Sequence, residues 1–179
     1  EPRYKVLDID NFYSKINFDL ISDYGIYSKS LSKSPFEIPD VVIYQEDESS
    51  LKTGDKFSII LDRKSGVQFS QSSMEGFDGN DNVENAILLG KSISAHEYEF
   101  QVEEVYDNTK PIIVSGLYSN LINTSSRKER AEYQLTFMYE RYMDKNTYTF
   151  NSSKKIFISS PEINASNNIL IWPKDILKI

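Results

Sequence analysis

The chain has 179 residues, 39% of them hydrophobic and 26% charged, with a formal net charge of −7; that length fits one domain over residues 1–179 with a core of useful size. The acidic balance argues against a nucleic-acid binder, which needs a basic face for phosphates. With no cysteine there is neither a disulfide framework nor a thiolate site, and no apolar run reaches the roughly 20 residues that span a bilayer.

Ile16–Asn17–Phe18–Asp19–Leu20 alternates apolar and polar, the period of a half-buried strand, which puts Asn17 and Asp19 on a wet face. Ser22 to Pro39 breaks that pattern and reads as a long polar loop containing Pro35. Asp40 to Glu46, with Val41–Val42–Ile43–Tyr44–Gln45, is a β-branched strand. Thr53–Gly54–Asp55 is a turn before a strand over Lys56–Leu61, and Ser65–Gly66 is a turn before Val67–Ser70. Ser72 to Asn85 is an acidic loop, and Ala86–Leu89 is a short apolar run. Glu97–Val102 alternates strictly, with Tyr98, Phe100 and Val102 on one face and carboxylates on the other, so that sheet has one face in water. Asp107–Pro111 turns into a buried strand over Ile112–Tyr118.

Glu132–Tyr139 fits strand better than helix because Tyr133, Leu135, Phe137 and Tyr139 alternate and are mostly aromatic. Asp144–Asn146 turns into Thr147–Phe150, and Lys155–Ser159 and Ile169–Trp172 complete the set. Short strands at this spacing, without amphipathic helices between them, predict an all-β, two-sheet antiparallel β-sandwich with long loops. The strand periods place Tyr98, Phe100, Val102, Ile113, Leu117, Phe137 and Phe150 in one core.

Chemistry-bearing motifs are few. Gly76–Phe77–Asp78–Gly79–Asn80–Asp81–Asn82–Val83–Glu84 matches the calcium nonapeptide at every fixed position but the second. That chemistry shares each ion between stacked repeats and here there is one copy, so a solvated acidic loop is the expectation and no metal is assigned. His96 is the sole histidine. No G-x-S-x-G elbow accompanies it, and it reads as a rim residue at a strand start. Nothing in the spacing of the carboxylates singles out a catalytic pair, so the chain is expected to be no enzyme and to need no cofactor. The segment Tyr24–Pro39 is locally positive and aromatic: Tyr24, Gly25, Ile26, Tyr27, Leu31 and Phe36 with Lys29 and Lys33. Apolar anchors with a charged rim are interface composition, and the same residues also suit a linker folded back on the sandwich.

From Lys15 to Gln45 the order is alternating strand, long loop, then Val41–Val42–Ile43–Tyr44–Gln45, and Ile112–Asn120 follows as an apolar run with Leu117 and Tyr118. This resembles the outer-membrane lipoprotein family of type VI secretion systems, loosely and over roughly Lys15–Asn120. The family's lipidated Cys is absent, and its Asn-Pro-Asp-like turn is represented only by Asp23–Tyr24–Gly25. The chain starts at Glu1 without Met, consistent with a leader or lipid anchor lying upstream. The resemblance implies a transthyretin-like sandwich at the periplasmic face of the outer membrane, held there by a lipid anchor. It also implies that the segment between the first two strands docks the periplasmic domain of an inner-membrane scaffold protein. Two other classes fit the composition: a viral or phage capsid or tail sandwich, and a calcium-dependent carbohydrate-binding or hydrolytic sandwich centred on Asp78, Asp81 and Glu84.

Overall fold

The computed structural model describes residues 16–27, 35–70, 82–121, 130–159, 162–164 and 169–171. The strands are β1 Asn17–Leu20, β2 Tyr24–Tyr27, β3 Phe36–Glu37, β4 Val41–Tyr44, β5 Lys56–Ile60, β6 Val67–Phe69, β7 Val83–Glu84, β8 Ala86–Ser94 and β9 Glu97–Val105. They continue as β10 Ile112–Val114, β11 Tyr118–Leu121, β12 Arg130–Tyr133, β13 Thr136–Glu140, β14 Thr147–Asn151, β15 Ile156–Ser159, β16 Glu162–Asn164 and β17 Ile169–Ile171. Among the described residues no helix is long and apolar enough to cross a membrane.

Two sheets form the sandwich. One is five-stranded and antiparallel, in the order β14-β13-β5-β9-β8; the other is four-stranded and antiparallel, in the order β1-β4-β10-β7. Phe18 on β1 joins them, its ring 5.2–5.9 Å from Phe57, Phe137, Tyr139 and Phe150 on the opposing sheet. Ring pairs at that separation add attraction beyond the area they bury. β4 is central because both its edges are paired, Ile43 lying between Phe18 and Ile112, and Val41 between Leu20 and Val114. Two three-stranded sheets, β3-β11-β6 and β12-β15-β2, add Phe36, Val67, Phe69, Leu121, Ile156 and Ile158 to the same core.

Two glycines turn the chain where the sequence marks turns. Gly54 has φ +92°, and Gly66 has φ +73° at the end of a 3-10 turn over Arg63–Ser65, conformations that cost a residue with a Cβ.

The structure corrects the sequence reading in several places. Asp19 is buried, not wet: its carboxylate accepts the N–H groups of Leu20 and Ser153 and the Ser153 hydroxyl, which ties β1 to the turn before β15. The segment Ser22–Pro39 holds two strands. β2 pairs with β15 in parallel, and β3 pairs with β11. Ala86–Leu89 is only the start of a nine-residue strand. Ile112–Tyr118 is two strands in different sheets, separated at Ser115–Leu117 where Gly116 takes φ +74°. A Cβ at Gly116 would lie 2.9 Å from the Asn82 side chain, so the chain changes sheet at the residue that alone fits there. Ile112 and Val114, not Ile113, therefore face the core. Tyr133–Tyr139 likewise divides between β12 and β13, hinged at Gln134–Leu135. Ile169–Ile171 pairs with β16, and Trp172 lies outside the described residues.

Candidate functional site

The predicted docking segment is largely drawn into the fold. Tyr24 and Gly25 are half-buried in β2, where the Tyr24 N–H donates to the Lys155 carbonyl at 3.0 Å. The Tyr24 ring stacks on Phe36 with centroids 6.0 Å apart and planes at 13°, and Phe36 is buried. The backbone of Ile26 and Tyr27 pairs with Ile158 and Ser159. Lys29, Leu31 and Lys33 lie outside the described residues, so the structure brings only Tyr24 and Phe36 of the set together. Residues 76–81 of the nonapeptide-like loop, with Asp78 and Asp81, also lie outside the described residues, while Val83 and Glu84 form β7.

Gln45, the last residue of the Tyr-Gln pair, has a structural task. Its amide donates to the carbonyls of Asp107 and Lys110, and its oxygen accepts the Leu51 N–H. His96 sits half-buried in the β8–β9 turn with Nε2 buried and unpartnered among the described residues. Burial pushes its pKa below the ordinary 6.5, the Arg63 guanidinium pushes the same way, and Asp62 opposes both.

The sequence reading missed the most distinctive surface, the outer face of the five-stranded sheet. Register fixes its composition. One rung runs Leu89, Gln101, Lys56, Glu140, Thr147, and the next runs Lys91, Glu99, Ser58, Met138, Thr149. A third carries Glu97, Ile60, Thr136 and Asn151. Leu89 is 50% exposed, Ile93 47% and Met138 40%. Between Glu97, Glu99, Glu140 and Met138 lies a shallow depression of ≈ 190 Å³. Lys91 pairs with Glu99 at 3.4 Å, Glu97 and Glu140 add negative charge, and Lys56 stands opposite Glu140. The alternation of Glu97–Val102 announced the wet face. The apolar members were hidden, because only the pairing of strands far apart in sequence puts Leu89 and Met138 on the same sheet face.

A second feature is a cleft of ≈ 700 Å³ at one end of this sheet, walled by the 3-10 turn and by β12. Arg63 and Lys64 stand on one side; Lys155, ion-paired to Glu132 at 3.1 Å, stands on the other. Asp62 fixes the turn by accepting the Lys64 N–H at 2.8 Å.

No protein-family model and no curated protein matches the chain. Similar solved structures include the cohesin module from a Clostridium perfringens family 33 glycoside hydrolase. It is 10% identical with a TM-score of 0.44, covering 81% of this chain and 97% of that one. Another is the 35 kDa C-terminal fragment of the major pilin GBS80 of Streptococcus agalactiae, 8% identical with a TM-score of 0.44, covering 88% of this chain and 61% of that fragment. A third is ACE19, the collagen-binding subdomain of the Enterococcus faecalis surface protein ACE, 5% identical with a TM-score of 0.40, covering 82% of this chain and 97% of that one. The chain is an all-β sandwich, and these likenesses are of strand arrangement.

Proposed function

We propose that the chain is a non-catalytic protein-recognition domain whose outer five-stranded face docks a partner segment bearing lysine or arginine beside apolar residues. The observation that supports it is the exposure of Leu89 and Met138 on a face that also carries Glu97, Glu99 and Glu140. A flat, open face suits contact with another macromolecule, whereas small-molecule chemistry favours an enclosed concave site. Met138 supplies an adaptable anchor at the centre, and the carboxylates steer a basic partner and set its orientation. The test places a photo-crosslinking residue at Met138 and, separately, at Tyr44 on the outer face of the other sheet, in the native host. Adducts are expected from Met138 only, and they should disappear in a Glu97→Lys, Glu99→Lys, Glu140→Lys variant of unchanged melting temperature. Binding of the purified adduct partner should weaken as salt rises, because exposed charges are screened beyond about 10 Å at 0.1 M. Adducts that survive the triple reversal, or that form only at Tyr44, overturn the reading.

A narrower reading makes the domain an outer-membrane-anchored component of a type VI secretion complex, facing the periplasm. Its support is the order of β1, a long excursion and the Tyr44-Gln45 ending of β4. Pull-down of the inner-membrane scaffold protein's periplasmic domain, together with a lipidated Cys in the precursor, tests it; absence of both removes it.

A further inference from the structure

The cleft between the 3-10 turn and β12 carries a chemistry that the outer-face reading does not use. We infer that it binds a carboxylate-bearing saccharide of the uronic-acid class. Its volume of ≈ 700 Å³ falls within the roughly 300–1,000 Å³ of ligand pockets.

The cations come first. In a protein of net charge −7, Arg63, Lys64 and Lys155 converge on one cleft. Lys155 is neutralised by Glu132. Arg63 and Lys64 make no ion pair among the described residues; the neighbouring Asp62 accepts the Lys64 backbone N–H. An unpaired guanidinium is a planar fork that grips a carboxylate through two hydrogen bonds, and the ammonium beside it adds a second charge.

The polar groups come next. Asn151 accepts the Thr136 hydroxyl at 3.2 Å through its oxygen, which leaves the amide N–H₂ to donate into the cleft. Gln134 donates to the Ser152 carbonyl at 2.8 Å, which leaves its oxygen as an acceptor. Donor and acceptor on one wall match sugar hydroxyls, which do both. Tyr133, half-buried with its hydroxyl directed to the Lys64 carbonyl at 3.4 Å, offers an apolar ring surface to sugar C–H groups. Asp62 and Glu132 in the same lining repel a dense polyanion. They leave a ligand with one carboxylate per residue and many hydroxyls as the best match.

The test is calorimetry with the whole chain and trigalacturonate, against maltotriose and acetate at equal ionic strength. Saturable binding of trigalacturonate is expected, at least tenfold tighter than either control. Arg63→Gln with Lys64→Gln should weaken it at least tenfold, and Asn151→Ala several-fold, with melting temperatures unchanged since Arg63, Lys64 and Asn151 are all exposed. A Glu99→Lys, Glu140→Lys reversal, at positions outside the cleft lining, should retain binding, which separates this site from the outer face. Equal binding of maltotriose removes the carboxylate assignment, and equal binding of acetate removes the saccharide assignment. No saturable heat with trigalacturonate, or binding indifferent to the Arg63/Lys64 changes, overturns the site.

Discussion

Asp55 and Tyr139 form the sharpest test of how this sandwich is held together. Asp55 is 2% exposed and Tyr139 also 2%. One Asp55 oxygen accepts the Tyr139 hydroxyl at 2.9 Å and the Lys52 N–H at 2.8 Å, and the other accepts the Tyr142 N–H at 2.9 Å. The carboxylate thus joins the turn before β5 to the end of β13. Asp55→Ala removes three charge-assisted bonds and leaves the Tyr139 hydroxyl buried without an acceptor. A stranded buried group costs about 1–3 kcal/mol, and a bond to a charged group contributes about 1.5–3 kcal/mol. The backbone donors at Lys52 and Tyr142 lie nearer solvent and regain water, so the expected total is about 3–5 kcal/mol. Tyr139→Phe leaves Asp55 its two backbone donors and is expected to cost about 1–2 kcal/mol. In the Tyr139→Phe background no hydroxyl is stranded, so Asp55→Ala should cost about 1.5–3 kcal/mol less than it does alone. Urea denaturation of the four proteins, followed by circular dichroism, yields this coupling. A coupling below about 0.5 kcal/mol would refute the argument that the pair acts as a unit.

Phe100 is fully buried and packs on Phe57 at 5.2 Å, so Phe100→Ala should cost about 3–5 kcal/mol by denaturant titration. Ser119 is fully buried with its hydroxyl unpartnered among the described residues; Ser119→Ala should leave stability unchanged or raise it by up to about 1 kcal/mol. Deleting Gly25–Lys33 removes most of β2 and strips the parallel partner from β15, so a large loss of melting temperature is expected in place of the tolerance usual for a surface loop. Burial pushes the Tyr98 hydroxyl up to about 12, and burial and Asp55 push Tyr139 up as well. The folded chain then keeps protons that the unfolded chain releases near pH 10, so stability is full below pH 10 and should fall as pH rises toward 12. A flat stability profile across that window contradicts the burial of both rings.

Strand positions were legible wherever local pattern and burial coincide. Glu97–Val102 alternates in sequence and sits between β5 and β8 in a sheet with one wet face, and Val41–Ile43 is β-branched in a strand paired on both edges. The failures share one physical origin. Asp19 reads as solvent-facing because polarity is taken for exposure, yet its carboxylate is satisfied by donors 134 residues away. Ser28–Pro35 reads as loop, and that composition masks the flanking β2 and β3, whose partners β15 and β11 are distant in sequence. The continuous run Ile112–Tyr118 conceals a change of sheet, because Gly116 is the sole sign of it. The outer-face cluster is invisible for the same reason: Leu89 and Met138 lie on strands that β9 and β5 separate.

What folding demands of this chain and what it leaves free can be divided by face. The Tyr44-Gln45 pair, the basis of the family resemblance, divides in just this way: Gln45 is fixed by the turns it ties, whereas the Tyr44 ring is 46% exposed and contributes nothing to the core. The five-stranded sheet divides likewise. Its inner positions are the buried set Phe57, Ile59, Tyr98, Phe100 and Phe137, of which Phe57 and Phe137 pack against Phe18 and Phe100 packs on Phe57 and Tyr98. Its outer positions face water, and stability there tolerates almost any β-forming residue. Scattered exposed apolar side chains are ordinary on a protein surface. Leu89 and Met138 share one sheet face with Glu97, Glu99 and Glu140. The Lys91–Glu99 pair at the β8 edge provides the charge that keeps such an edge from pairing with its own copies. That charge accounts for the edge alone; Leu89 and Met138 on the face are the positions that the proposed docking uses.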